Sequence, residues 1–395
     1  MRDHISYRLV LILLFLLTVA FNGFCLEPGP DDKYTIVEGV KWPNSAEEGT
    51  EPVVTKHRAL NISRITRNQS AYNELLPHLL ASPDQTEAGS CLYMSLTGNA
   101  EWWLSRLNPA VSTAADGPID LSERYLMNLS GGTDEANSPV QNWKLDSIFL
   151  FNIENKSVLN TGYRYTKGWY KHDSDDKLLA ALPDEEGASY GTYYNWIIGD
   201  LAAIKPADFV ELPHFKRDVI FEDPESNQWN VGVTPDNIVE KIKTALTVNK
   251  APVQIIYNHF GYWHAVMIVG YDDNADNDDC SFVKRSIKHN KDKAVEYFRK
   301  IFQTTDPEKQ EYYYKRYKKY MTTYTKLKHA VEDGGYGKKG VFYVRDSIYS
   351  DSTAPLYDYD LSREGEEEHY CKKVIVHEYE WAKYLGNHII QIMPE

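Results

Sequence analysis

Basic side chains are in short supply in this chain. Of its 395 residues, 43 are Lys or Arg against 57 Asp or Glu, a formal charge of -14. Phosphate backbones are held by clustered Lys and Arg, so this deficit argues against a nucleic-acid partner. It favours solubility and excludes little else. Long apolar runs are equally scarce. After residue 25 no segment approaches the roughly 20 apolar residues that a membrane-spanning helix needs. The one earlier run, Leu9 to Phe21, falls short of that length, with Arg2 and Arg8 at its start and uncharged residues toward Gly23 and Cys25. That is the pattern of a cleavable export signal over 1–25. Asn22-Gly23-Phe24-Cys25 makes a poor lipoprotein box. The expectation is a secreted or periplasmic protein with no stable membrane span once the signal is removed.

Cysteine is rarer still, at four residues. Cys25 leaves with the signal, and Cys91, Cys280 and Cys371 remain. An odd number in an oxidising compartment leaves one thiol over. The economical pairing joins Cys280 to Cys371 and leaves Cys91 free to react; unpaired buried thiols are the alternative. Sequons at Asn61, Asn68, Asn128 and Asn155 are about what chance supplies. No His, Cys, Asp or Glu spacing has the strength of a metal motif. His369, His377 and His388 with Glu366, Glu367 and Glu368 read as a solvated face. Neither metal nor cofactor is expected.

No internal repeat or low-complexity run organises the chain. Residues 26–60, rich in Pro, Gly, Glu and Asp, read as an extended entry segment. A globular composition follows over 61–395. Leu92, Leu96, Trp103 and Leu107 stand at helical spacings before Pro109, which puts Cys91 at the start of a helix. Further helices are predicted over Leu145–Asn155 and over Pro235–Leu246, the latter with Thr234 as cap. Strand candidates are Pro252–Tyr257, His264–Tyr271, Gly340–Val344 and Val374–Val376. Within about 288–334, Ala294–Phe302 and Glu308–Val331 carry helical patterns separated by Thr305-Asp306-Pro307. Tyr313, Tyr317, Tyr320, Tyr324 and Leu327 form one stripe of this insertion, with lysines between. A helical hairpin packed on the body is one reading of it; a lid or an arm for a protein partner is the other. Helices first and strands later make the fold class α+β.

The chemistry-bearing residues lie in Gln85-Thr86-Glu87-Ala88-Gly89-Ser90-Cys91 and in Trp263-His264-Ala265-Val266-Met267-Ile268-Val269-Gly270-Tyr271. A thiol, an amide and an imidazole are what a thiol hydrolase needs as nucleophile, oxyanion donor and base. In order and in kind these segments resemble the papain-like cysteine peptidases. Leu121-Ser122-Glu123, Gly162 to Gly168 and the stretch Ile238 to Tyr257 resemble further parts of that family, colinearly over most of 83–348. The resemblance implies a two-lobed fold, with a helical lobe carrying Cys91 and an antiparallel β-rich lobe carrying His264. It implies hydrolysis of peptide bonds in a peptide or protein substrate. It assigns Cys91 as nucleophile, His264 as base and acid, and Gln85 as oxyanion donor.

Ala88 and Leu92 stand where the family usually has Cys and Trp, and the Asn-Ser-Trp motif that orients the histidine is missing. Arg285 in Phe282–Ile287 and Asp346 in Phe342–Ile348 are the two candidates for the orienting position. The role needs an acceptor for an imidazole N–H, and guanidinium has only donors. Asp346 is the choice. His259 competes with His264 for the role of base. A helix start and a protonated imidazole beside it both favour the thiolate form of Cys91. Two alternatives stay open: a catalytically inactive papain-fold binding protein, and a thiol-dependent acyl transferase or amidase.

Overall fold

A computed structural model describes residues 75, 78–79, 82–83, 90–108, 120–129, 151–152, 155–159, 170–172, 178–180, 204–225, 229–276, 282–347, 356–360, 370–371 and 373–395. The expected export signal and entry segment, Gln85, Cys280, Asn61 and Asn68 fall outside the described residues, as do the side chains of Asn128 and Cys371. The expected pairing of Cys280 with Cys371 is outside them too.

Helices and antiparallel sheet make up the fold, which is α+β. Seven strands build the main sheet: β1 (Phe215–Glu222), β2 (Val253–His259), β3 (Tyr262–Asp276), β4 (Lys339–Arg345), β5 (Leu356–Asp360), β6 (Lys373–Glu378) and β7 (Gly386–Pro394). Their order across the sheet is β5-β6-β4-β3-β2-β7-β1, every neighbouring pair antiparallel. The central strand β3 is buried without interruption from His264 to Tyr271. That explains why its sequence is a continuous apolar run rather than an alternation. Strands β2 and β3 form a hairpin, with Tyr257 opposite His264 and His259 opposite Tyr262. The two turn residues, Phe260 and Gly261, have φ of 54° and 96°. Positive φ at both positions is what a two-residue turn needs to match the twist of its strands. Asn258 Oδ1 accepts the Gly261 N–H at 2.8 Å and fixes the turn.

Helix α1 (Cys91–Leu107) is buried along almost its whole length and packs on β3. Its tryptophans are tied at their polar ends: Trp102 Nε1 donates to the Leu75 carbonyl at 2.8 Å and Trp103 Nε1 to that of Ile392 at 2.7 Å. A short helix α2 (Glu123–Leu129) follows, its first turn held by Ser122 Oγ accepting the Tyr125 N–H. Helix α3 (Ile238–Val248) buries Ile238, Ile242 and Leu246, four residues apart, against the sheet. It begins three residues later than the sequence predicts. Thr234 does not cap it, because its hydroxyl donates instead to the Lys383 carbonyl. A tertiary partner has outcompeted the local one.

The helix expected over Leu145–Asn155 is seen at Phe151 and Asn152 and does not reach Asn155. Asn152 exchanges two hydrogen bonds with the Phe215 backbone, and Asn155 takes φ 52°, which a helix cannot continue through. Lys156–Val158 then pairs with Phe209–Glu211 as a separate two-stranded sheet.

Helices α4 (Phe282–Gln303) and α5 (Pro307–Gly334) form an antiparallel pair joined by Thr304-Thr305-Asp306. Asp306 caps α5 by accepting from the N–H groups of Glu308 and Lys309, with Pro307 at the first helical position. Helix α4 starts twelve residues before the predicted Ala294. Its first turn is completed by the buried carboxyl of Glu378, which accepts from the Phe282 and Val283 N–H groups at 3.1 and 2.7 Å. Tyr320 and Leu327 from the predicted stripe are buried, and Tyr320 stacks on Tyr297 of α4 at 5.6 Å. Helix α6 (Tyr379–Leu385) leads into β7. His377 and His388 are not on a solvated face, as the sequence suggested. They are 1% and 6% exposed, and His377 stacks on Trp381 with ring centroids 4.4 Å apart. Among the described residues no helix is long and apolar enough to cross a membrane.

Candidate active site

Cys91 is the first residue of α1, where backbone N–H groups have no partner within the helix. Ser90 stands at the cap position but its side chain does not cap the helix, and no acid occupies the first turn. The thiol is buried, 1% exposed. It rests against β3, whose Ala265 N–H points at Cys91 Sγ from 3.4 Å. Strand β3 also carries His264, whose charge is influenced by both Asp346 and Cys91. Its hydrogen bond to Asp346 is short: Nε2 to Oδ1 is 2.7 Å. With Nε2 committed to the carboxylate, Nδ1 is the nitrogen left for another partner.

Asp346 directly follows the last residue of β4, and β4 lies beside β3 in the sheet. Histidine and carboxylate are 2% and 7% exposed. Burial alone would push the imidazole toward neutrality. The charge of Asp346, then that of Cys91, outweigh it and hold His264 up to about 10. The ring is an imidazolium at neutral pH, bonded to a carboxylate.

His259, the other candidate base, is occupied differently. Its Nδ1 is 2.8 Å from the Tyr257 hydroxyl, and its ring stands 5.2 Å from that of His264. Burial, reinforced by the charge on His264, holds it well below the usual histidine range. His259 is a neutral neighbour. Arg285, the other candidate for the orienting position, lies on α4 with its guanidinium 5.3 Å over the Phe282 ring. Gln85 lies outside the described residues.

Sequence reasoning missed the wall behind His264. Tyr257 meets the His264 ring at 5.6 Å, and Phe282 closes on Tyr257, His259 and His377 at 5.6, 5.2 and 5.2 Å. The signal that could have found Tyr257 is the Phe260-Gly261 turn, which fixes the cross-strand register. His377 is pulled down to about 3, chiefly by burial. It is neutral despite the nearby carboxylate.

A second charged group braces the helix of Cys91. Arg345 Nη1 donates to the Met94 carbonyl at 3.0 Å, and Nη2 lies 3.6 Å from Glu101 Oε2. The guanidinium crosses α1 where residue 98 is glycine. A Cβ there would come within 2.7 Å of Arg345 Cζ and 2.9 Å of Met267 Sδ. Glu101 Oε1 accepts the Leu121 N–H at 2.9 Å. Buried Glu123 beside it is held well above the usual carboxylate range, by burial first and by Glu101 and Asp120 next. Arg345 is a cation that faces this cluster and works against the rise.

Among the described residues no group of three or more His, Cys, Asp or Glu is placed to hold a metal ion. No known protein-family model matches the chain, and no curated protein matches it.

Proposed function

We propose that this protein is a papain-like cysteine peptidase of divergent sequence. In this reading α1 belongs to the helical lobe of the fold, and the seven-stranded sheet to the β-rich lobe that carries His264. One observation supports it above the rest: the buried His264 ring is bonded through Nε2 to Asp346, and the Cys91 thiol is near enough to help hold the ring charged. Thiol, imidazole and acceptor are thus gathered in one buried site.

The chemistry runs in two halves. Cys91 Sγ, as thiolate, attacks the carbonyl carbon of the peptide bond while His264 keeps its proton on Nδ1. Collapse of the tetrahedral intermediate breaks the C–N bond, and His264 passes that proton to the departing amine. A thioester of Cys91 remains. Water then attacks it, giving one proton to His264; the C–S bond breaks, releasing the acid and restoring the thiolate–imidazolium pair. The Cys91 backbone N–H and the Gln85 side chain would hold the oxyanion in both halves, each donor worth about 3 kcal/mol. Asp346 keeps the ring oriented and favours its charged form, as a carboxylate does in serine triads. Export by the segment 1–25 places this activity outside the cytoplasm.

Replacing Cys91 with Ala abolishes hydrolysis of a fluorogenic peptide amide, and a thiol-directed epoxide labels wild-type protein once, at Cys91. Undiminished hydrolysis by the Cys91→Ala protein, or an epoxide that never reaches this buried sulfur, removes the reading.

A further inference from the structure

Charge is distributed very unevenly along this acidic chain. From Phe282 to Gly334, the two long helices and their loop, fourteen Lys and Arg face seven Asp and Glu, a formal +7. The rest of the chain therefore carries -21 of the total -14. Within α5 the imbalance is local: from Tyr312 to Val331 there are six cations and no acid.

Some cations on this helix pair are neutralised at home. Lys293 and Lys300 share Glu296, Lys315 meets Glu311 and Lys328 meets Glu332. Lys318, Lys319 and Lys326 are exposed and have no carboxylate partner among the described residues. Lys319 lies over the Trp229 ring at 5.4 Å, and Lys326 donates to Asn230 Oδ1 at 3.1 Å. Through Trp229 these charges border the hairpin whose second strand carries His264. Trp229 covers Gly261, where a Cβ would come within 2.7 Å of its ring. Gly261 is the tip of the β2–β3 hairpin, three residues before His264. On its other flank Phe260 packs on Phe282 and His289 of α4 at 4.8 and 5.0 Å.

We propose that the exposed face of α5 around Lys318, Lys319 and Lys326 docks an acidic segment of the polypeptide substrate, so that the enzyme prefers chains with Asp and Glu on that side of the cleaved bond. The inference rests on the peptidase reading for the identity of the substrate as polypeptide. Charge complementarity supplies the rest. A chain leaving the Cys91–His264 site past the hairpin tip meets ammonium groups with no carboxylate partner among the described residues, whereas the rest of the chain carries a net -21. A nucleic acid fits less well, because its charge recurs about every 1.7 Å along the duplex and would run onto the acidic body.

The test uses full-length Cys91→Ala protein and a fluorescent peptide bearing a run of Glu, with its Gln counterpart and a DNA duplex as comparators. Anisotropy at low salt is expected to show the Glu peptide binding about tenfold or more tighter than the Gln peptide, an advantage that high salt erases. A triple Lys318→Gln, Lys319→Gln, Lys326→Gln protein loses that advantage, and the corresponding Lys→Arg triple keeps it. In Cys91-intact protein the same Gln triple raises KM for the Glu substrate with kcat unchanged, and leaves the Gln substrate alone. Equal affinity for the two peptides, an advantage that survives the Gln triple, or DNA binding as tightly as the Glu peptide overturns the inference. Absence of turnover of both substrates by Cys91-intact protein defeats the peptidase reading, while anisotropy still decides the docking face.

Discussion

Asp346→Asn separates the two things Asp346 offers His264, an acceptor oxygen and a charge. The amide retains the oxygen and removes the charge. His264 stands at about 10 against an ordinary 6.5. At about 1.4 kcal/mol per pKa unit, the site favours the imidazolium by on the order of 5 kcal/mol, net of burial, which works the other way. The Asp346 charge is the largest of the favourable contributions. Removing that charge lowers the ring toward its ordinary value. The expected outcome is an enzyme that still turns over, losing no more than about tenfold in kcat/KM at its best pH, with the alkaline limb of its profile moved down by one to two units. Asp346→Ala, lacking the acceptor as well, should fall by a further 10- to 100-fold or so. The sign also fixes a stability measurement. A histidine raised in the fold contributes stability that is complete below 6.5 and is lost as pH rises through about 10. In the Asn protein that loss should be complete at lower pH. The assay is kcat/KM against pH with a fluorogenic amide, with urea unfolding at matched pH. An alkaline limb that does not move in Asp346→Asn refutes the claim that this carboxylate keeps the ring charged.

Three further outcomes follow from the packing. Gly98→Ala drives a methyl into Arg345 Cζ and Met267 Sδ, and should cost about 1–3 kcal/mol in urea unfolding; an unchanged midpoint would show that the guanidinium moves aside freely. His377 sits at about 3 in the fold, so its contribution is complete above 6.5 and is lost as pH falls toward 3. His377→Phe keeps a ring on Trp381 and should recover about 2 kcal/mol near pH 5 relative to wild type, read from acid unfolding curves. Glu378→Ala strips the first turn of α4 of its acceptor and should cost about 1–2 kcal/mol, with amide exchange accelerating first at Phe282 and Val283.

Local pattern and tertiary context divided the work of specifying this fold, and particular residues show where. The helix of Cys91 and the strand of His264 were legible because their apolar residues recur with the right period or run unbroken. Asp346 was legible by chemistry, since an imidazole N–H requires an acceptor. Boundaries set by distant partners were not. Helix α4 starts where Glu378, 96 residues away in sequence, offers a carboxylate. Helix α3 starts late because Thr234 finds Lys383. His377 and His388 read as surface residues because acids precede them. Their burial comes from strands β6 and β7, whose neighbours in the sheet are remote in sequence.

Arg345 and Asp346 show why the site cannot be assembled piecemeal. They are consecutive, and their side chains serve different partners. Arg345 holds the nucleophile's helix through the Met94 carbonyl and Glu101, while Asp346 holds the base through His264 Nε2. Strand β4, which supplies both, pairs directly with the strand that carries His264. The brace on the helix of Cys91 and the partner of His264 therefore come from one dipeptide rather than from two independent loops. The helix pair α4–α5 enters the sequence between β3 and β4, and β4 still returns beside β3. The pairing of Met267 with Arg345 and of Ile268 with Val344 is what returns it.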